Sequence, residues 1–421
     1  MAITHVSISN FKGISEKSEF EIRPITLFIG PNSSGKSSCI HAIASMAQTV
    51  KLASSKLPIV LDDEFAQVHL GRFIEVIHSK SYSDAIEIGL TYRLPGKIAL
   101  PGGFSIGKND SVTACFSFKS TKRTQDIYIE KAIFSTPALK VELTKLDDEN
   151  YLVSVNDNPT KFHARHTGGF GFIIAPPAQG DSKHDDFFNV LLMIQVFGEV
   201  FSSELRDVLY LGPFRQSPLR RYPTRGSAPN EVGPQGEAAI TLLANEYVQR
   251  RSRSCTKQIG KWMQSLGLGK GVDVSRVGGS DLFDVAVTLP DGAKFTVADL
   301  GYGISQVLPV LTQCAFAPKG STLLFEQPEL HLHPGAARGL ASVFIEAVNR
   351  SNLHIVAETH SRDMFIQLLD EIRSGKVSLN DVAAYKVSRF DGCSHFERIK
   401  IVEEDGHIEV LNPWDGELLR R

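Results

Sequence analysis

Residues 25–48 read ITLFIGPNSSGKSSCIHAIASMAQ. An apolar, β-type run from Ile25 to Ile29 breaks into Gly30-Pro31-Asn32-Ser33-Ser34-Gly35-Lys36-Ser37, which is G-x-x-x-x-G-K-S. A helical pattern follows, with Ile40, Ile43, Ala47 and Val50 recurring on one face. Strand, glycine-rich loop and helix in that order make a phosphate cradle. The glycines let backbone N–H groups turn inward, and the helix N-terminus adds its partial positive charge. The pattern predicts that Gly30, Asn32, Ser33, Ser34, Gly35 and Ser38 wrap a nucleoside triphosphate. Lys36 then reaches the β- and γ-phosphates, and the Ser37 hydroxyl ligates Mg²⁺.

A chain of 421 residues, 42% hydrophobic and 22% charged, has the composition of a globular protein with a large core. A length prior gives it roughly two to three domains. The formal net charge of −2 supplies no global basic field, so contact with nucleic acid or an anionic membrane must come from local patches. The cysteines Cys39, Cys115, Cys255, Cys314 and Cys393 are scattered without zinc spacing, which predicts free thiols and a cytoplasmic setting. The opening MAITHVSISNFKG does not read as a signal peptide. The longest apolar stretch, Phe187 to Phe201, is interrupted by Asn189, Gln195 and Glu199 and reads as too short and too polar to span a bilayer.

Around the cradle the sequence predicts an α/β core divided in two by insertions. Residues 1–80 form its N-terminal part and 81–182 a β-rich insertion. Residues 183–270 form a helical subdomain and 271–421 the C-terminal part of the core. Asn10-Phe11-Lys12-Gly13 lies between two strands, where Phe11 and Lys12 could meet a nucleotide base or serve as an edge aromatic and a solvated lysine. Gln67 is the candidate for a glutamine that senses Mg²⁺ and the attacking water. From Ser83 to Ser154 the period drops to two, as in AIEIGLTYRL, VTACFSFKS, IYIEKAIFS and KVELTKL, which predicts an antiparallel meander. Gly168 to Gly180 reads as a loop, and Asp185–Val208 and Gly236–Leu266 as helical runs. Between those runs lies a loop carrying Arg215, Arg220, Arg221 and Arg225, and Arg250, Arg251 and Arg253 follow later. Such arginines suit a phosphate backbone or a solvated surface equally.

Two further stretches carry chemistry. Asp299-Leu300-Gly301-Tyr302-Gly303-Ile304-Ser305-Gln306 precedes an apolar helix and makes a second anion site at a helix start. Two such sites on one chain suggest two copies packed head to tail. The apolar run Ser321–Phe325 ends in Glu326-Gln327-Pro328-Glu329, and Glu326 is placed to hold the Mg²⁺ shell. A third strand, Leu353–Ala357, ends in Glu358-Thr359-His360-Ser361, with His360 at the ligand edge of a parallel sheet, where it could hydrogen-bond the γ-phosphate.

GPNSSGKS, LGYGISQVLP, FEQPELHLHP and ETHS together resemble the P-loop, signature, Walker B with D-loop, and switch histidine of ABC-type ATPases. The resemblance is to the branch containing SMC, RecF and the overcoming-lysogenisation-defect family. Within it the chain is most similar to the PtuA-like AAA-type ATPases of bacterial anti-phage systems. The resemblance implies an ABC-type head with a mixed central sheet, a β-rich subdomain and a helical subdomain. It also implies an ATP-sandwiched homodimer in which Gly303 and Ser305 of one copy meet the triphosphate of the other, and an effector partner such as a nuclease or toxin. A RecF-like repair ATPase that clamps DNA or RNA through Arg215, Arg220, Arg221 and Arg225, and an ATP-locked scaffold without turnover, are the alternatives. One departure stands out. The common pattern ends Walker B in Asp-Glu, but this chain has Glu326-Gln327. An amide is no general base, so either Glu329 takes that role or turnover is slow. A GTPase is disfavoured by the missing N-K-x-D motif, and a transporter subunit by the lack of a membrane segment.

Overall fold

The computed structural model describes every residue except 1, 53–55, 95, 101–104, 108–109, 175–183, 224–228, 250–251, 279, 405–406 and 421. The chain divides into two units. One comprises Met1–Ile22, Ser33–Val208 and Ser388–His395, and the other Arg23–Asn32, Leu209–Val387 and Phe396–Arg421.

The first unit is built on a nine-stranded antiparallel sheet. From one edge, its strands run Gly171–Ile174, Asn158–Gly168, Tyr151–Val155, Lys140–Lys145, Ile127–Ser135, Ser111–Ser120, Ile86–Arg93, Ala2–Ser9 and Ser18–Glu21. Alternation sets the faces: along Ser111–Ser120, Val112, Ala114, Phe116 and Phe118 are buried. Over this sheet lies the helix His184–Arg206, whose Phe197 stacks on Phe134 at 5.7 Å and whose Phe201 meets Phe116 at 5.4 Å. The helix is longer than the apolar stretch that announced it. Its Phe187–Arg206 segment is long and apolar enough to cross a membrane by length and composition alone. Phe197 and Phe201, at 0% and 1% exposure, instead make it a core helix of this unit. The expected loop after Gly168 holds a strand, Gly171–Ile174, because Phe172 and Ile174 alternate into the same core. The remainder of that loop, 175–180, lies outside the described residues.

The second unit is built on a six-stranded sheet in the order Val208–Leu211, Thr322–Glu326, His354–Thr359, Ile25–Ile29, Val382–Phe390 and Cys393–Arg398. The pairings among Thr322–Glu326, His354–Thr359, Ile25–Ile29 and Val382–Phe390 are parallel. Such strands are covered on both faces, which is why Ile25–Ile29 and Thr322–Glu326 are buried at every position rather than at alternate ones. The helices Tyr302–Phe316, Pro334–Ser351 and Arg362–Arg373 pack in this unit. Pro334 opens its helix as expected, with the His333 ring accepting the Gly335 N–H at 3.2 Å, and Leu340, Val343, Phe344 and Ala347 are buried.

The helical run Gly236–Leu266 is in fact two helices, Ala239–Val248 and Ser254–Ser265. Arg253, at φ +51, turns the chain between them. The Glu246 carboxylate then accepts from the Cys255 N–H at 3.0 Å and from the Thr256 N–H and hydroxyl at 2.9 and 2.6 Å. An acid that satisfies orphan donors at a helix start also complements the dipole there. Helical periodicity carries no sign of this break, since the cap comes from the preceding helix.

Candidate functional site

In the first unit the phosphate cradle runs from Ser33 into the helix Ser37–Lys51. Ser33 and Gly35 have φ of +59 and +97, so successive N–H groups turn to one side. Ser34, Lys36 and Ser38 are buried, Ser37 is half-buried, and Asn32 and Ser33 are exposed. The Ser34 hydroxyl is buried without a hydrogen-bond partner, as suits a loop shaped for an anion. A hairpin tip braces this loop: Arg389 donates to the Ser33 carbonyl at 3.3 Å, and the Ser394 N–H donates to the Gly13 carbonyl at 2.7 Å. The Ser394 side chain lies against Gly35 so closely that a Cβ there would meet its Oγ at 2.0 Å. Glycine is required here on two counts, backbone conformation and contact.

The P-loop helix is buried well beyond its expected stripe, because Gln48 fastens a second segment to it. Its amide donates to the Val60 and Val68 carbonyls at 2.7 and 3.2 Å and accepts from the Val68 N–H at 2.9 Å. Gln67 lies in that segment at 9% exposure. Phe11 is wholly buried, which removes it as a platform for a base, and Lys12 Nζ lies 2.6 Å from His41 Nδ1.

In the second unit Glu326 ends its strand at 5% exposure, in register with Glu358 on the next strand. Two buried carboxylates side by side are a hard-oxygen donor set that suits a divalent cation. Glu326 is further oriented by the Tyr210 hydroxyl, which donates to its Oε1 at 2.6 Å. Burial first, and then the Glu326 charge, push the Tyr210 phenol far above its ordinary range, so it remains a donor. Gln327 sits at φ +46 and donates its N–H to the Glu358 carbonyl at 3.1 Å. Arg215 secures this turn by donating to the main-chain carbonyls of Glu326 and Gln327 at 3.0 and 3.1 Å. Burial lowers its guanidinium to about 10, against the opposing charges of Glu329 and Glu326. It is still a cation at neutral pH.

Glu329 lies between the strand end and His360. Its Oε1 accepts from the Thr359 hydroxyl at 2.6 Å and the His360 N–H at 2.8 Å. Its Oε2 is buried without a hydrogen-bond partner. Ser361, next after His360, caps the following helix by accepting the Met364 N–H at 3.1 Å. At the signature helix, a Cβ on Gly303 would lie 2.9 Å from the His331 carbonyl, so its glycine is demanded by close approach to the D-loop turn. Ser305 is 6% exposed, and its hydroxyl is turned back onto the Tyr302 carbonyl at 2.9 Å. To meet a phosphate it must release that bond.

The expected basic loop is not a free basic surface. Arg215 is 7% exposed and committed to the Walker B turn, Arg220 pairs with Asp299 at 2.6 Å, and Arg221 lies 3.7 Å from Asp284. Arg225 lies outside the described residues. Sequence reading took Arg215 for a surface residue because its proline- and glycine-rich neighbourhood reads as loop. Tyr210 was hidden inside an apolar strand. Among the described residues no group of three or more His, Cys, Asp or Glu is placed to hold a metal.

Among solved structures, the chain is similar to "Crystal structure of the SmcHead bound to the C-winged helix domain of ScpA", with a TM-score of 0.50 and 12% identity over 94% of this chain and 97% of that one. It also matches an Smc head domain with an extended coiled coil from Pyrococcus furiosus, bound to the C-terminal domain of ScpA (TM-score 0.46, 11% identity, 94% and 96% covered). A third match is the SMC head domain from Thermotoga maritima (0.40, 11%, 95% and 100%). A search among curated proteins found no match. The first likeness carries the fold, which is that of an ABC-type P-loop ATPase head. The family described as "AAA domain, putative AbiEii toxin, Type IV TA system" matches residues 25–363, well over half of the chain and the whole span from the P-loop strand to just past His360, and the chain belongs to that family.

Proposed function

We propose that the protein is a slow ATPase that holds ATP for long periods and, while it does so, pairs with a second copy. The observation that carries this reading is the Glu326-Gln327 pair at the end of Thr322–Glu326, where the second position is an amide held on a fixed turn by Arg215. In the first unit Lys36 and the cradle N–H groups would bind the β- and γ-phosphates, with the Ser37 hydroxyl and Gln67 as candidate oxygens for Mg²⁺; in the second unit Glu326 is the candidate Mg²⁺ carboxylate. The cation, when bound, neutralises charge on the phosphates. Tyr210 and Arg215 keep Glu326 and the turn in place. His360, whose N–H donates to Glu329, is the proposed hydrogen-bond donor to a γ-phosphate.

Gln327 cannot take a proton from water, and losing a general base typically costs about 10²–10⁴ in rate. Glu329 is the carboxylate left to do so. In the paired form Gly303 and Ser305 meet the other copy's triphosphate, each charge-assisted hydrogen bond contributing roughly 1.5–3 kcal/mol. ATP then joins the copies, and hydrolysis loosens them. The paired form gates an effector protein such as a nuclease or toxin in anti-phage defence, a role in keeping with the toxin wording in the family's description.

Gln327→Glu supplies a second carboxylate at the usual position and is expected to raise steady-state phosphate release severalfold over wild type. Unchanged release would show that chemistry is not limited at Gln327. A wild type that binds ATP and releases no phosphate would leave only an ATP-locked scaffold.

A further inference from the structure

The last three strands of the second unit, Ile401–Glu404, His407–Leu411 and Leu418–Arg420, form a small antiparallel sheet. Alternation sets its inner face, where Ile408 and Val410 are buried in the core at 0% and 2% exposure. The same alternation turns Glu409 and Leu411 outward, and the register sets Val402 opposite Glu409 and Leu418 opposite Leu411. The outward face of such a sheet is ordinarily polar. Here Leu411 and Leu418 stand side by side at 64% and 63% exposure. With Val402 they form the apolar wall of a cavity of about 420 Å³, a size that suits a small-molecule site.

The rest of the lining is polar, and two of its groups lack partners. Asn412, next after the middle strand, is 1% exposed. Its main chain is used in the turn, donating to the Glu417 carbonyl and accepting the Gly416 N–H, both at 2.8 Å. Its Oδ1 accepts the Trp414 N–H at 3.2 Å, which fixes the other end of the amide as the NH₂ group. That Nδ2 is buried without a hydrogen-bond partner. A buried donor left unmade is costly and calls for an acceptor from elsewhere. Lys386, half-buried on the strand Val382–Phe390, brings an ammonium with no partner among the described residues. The other charges of the lining do not answer it. Arg398 and Glu409 are already engaged, and the exposed Lys400 and Glu397 offset each other. The cavity thus combines one uncompensated cation, one buried N–H donor and an apolar wall.

We propose that this cavity binds a carboxylate carried next to an apolar group, either a free amphipathic acid or the C-terminus of a peptide. The carboxylate accepts from Lys386 Nζ and Asn412 Nδ2, and the apolar group lies on Leu411 and Leu418. Glu397 and Glu409 in the lining select against a dianion such as phosphate. The inference is independent of the nucleotide chemistry above.

The test is calorimetric titration of the full chain with N-acetyl-leucine, with N-acetyl-leucinamide as the uncharged control and inorganic phosphate as the bare anion. A ligand of this size is expected to bind with a Kd of about 1 mM, and the amide about tenfold more weakly or worse. Lys386→Met and Asn412→Asp are each expected to weaken the acid about tenfold or more. Asn412→Asp keeps the oxygen that accepts from Trp414 and replaces only the donor. Leu418→Ser, an exposed change that touches neither polar group, is expected to weaken the acid about threefold. A short peptide ending in leucine that binds more tightly than N-acetyl-leucine assigns the site to a chain terminus, and equal affinity assigns it to a free acid. The proposal is overturned if acid and amide bind alike, or if neither binds up to about 10 mM. It is equally overturned if phosphate binds more tightly than the acid, or if Lys386→Met binds the acid as wild type does.

Discussion

Glu329→Gln is expected to lower single-turnover phosphate release about 10²-fold or more, while leaving ATP affinity within a few-fold of wild type. The amide keeps an Oε1 that can accept from the Thr359 hydroxyl and the His360 N–H, as the carboxylate does at 2.6 and 2.8 Å. The local scaffold therefore survives, and only the basicity is removed. What is lost is the second oxygen, buried and without a partner in the resting chain. In the proposed reaction that oxygen takes a proton from the attacking water as the new P–O bond forms and the bond from the γ-phosphorus to the bridging oxygen breaks, releasing ADP. General-base assistance contributes typically about 10²–10⁴. Release within twofold of wild type would reduce Glu329 to a structural tie.

Gly35→Ala is expected to weaken nucleotide binding at least about 30-fold, read by titration with a fluorescent ATP analogue. Two costs add. A side chain at φ +97 is strained, by roughly 1–2 kcal/mol. The new methyl also meets Ser394 Oγ at 2.0 Å and its Cβ at 2.9 Å, an overpacking that typically costs about 1–3 kcal/mol. The sum, about 2–5 kcal/mol, converts at 1.4 kcal/mol per tenfold. Combining Gly35→Ala with Ser394→Gly should restore the packing share and leave the backbone share. Affinity within twofold of wild type for Gly35→Ala alone would mean that the loop conformation seen here is not the one that binds phosphate.

Much of this was legible from residues 25–48 alone, because a strand, a glycine loop and a helix start in sequence encode local geometry. The same holds for Pro334 at its helix start and for the period-two strands from Ile86 to Lys145. What escaped was non-local. Tyr210 reaches Glu326 across 116 residues, and Arg215 reaches the Walker B turn across 111 and 112, so neither has a neighbour in sequence that marks its role. Composition pointed to arginines in a proline- and glycine-rich loop, but Arg215 is committed to the turn after Glu326, and Arg220 and Arg221 lie against Asp299 and Asp284. Charge content alone does not tell which cations already have partners. Phe11 and Ser305 illustrate the same limit, since burial of an aromatic or the turn of a hydroxyl depends on what packs over it.

The most direct test of the account is the mass of the protein in solution, by light scattering, with and without a hydrolysis-resistant ATP analogue and Mg²⁺. The expected result is a monomer mass that doubles on saturation with the analogue, and a Ser305→Arg variant that binds the analogue yet stays at the monomer mass. An analogue-saturated wild type with unchanged mass, or a Ser305→Arg variant that pairs as wild type does, would contradict it.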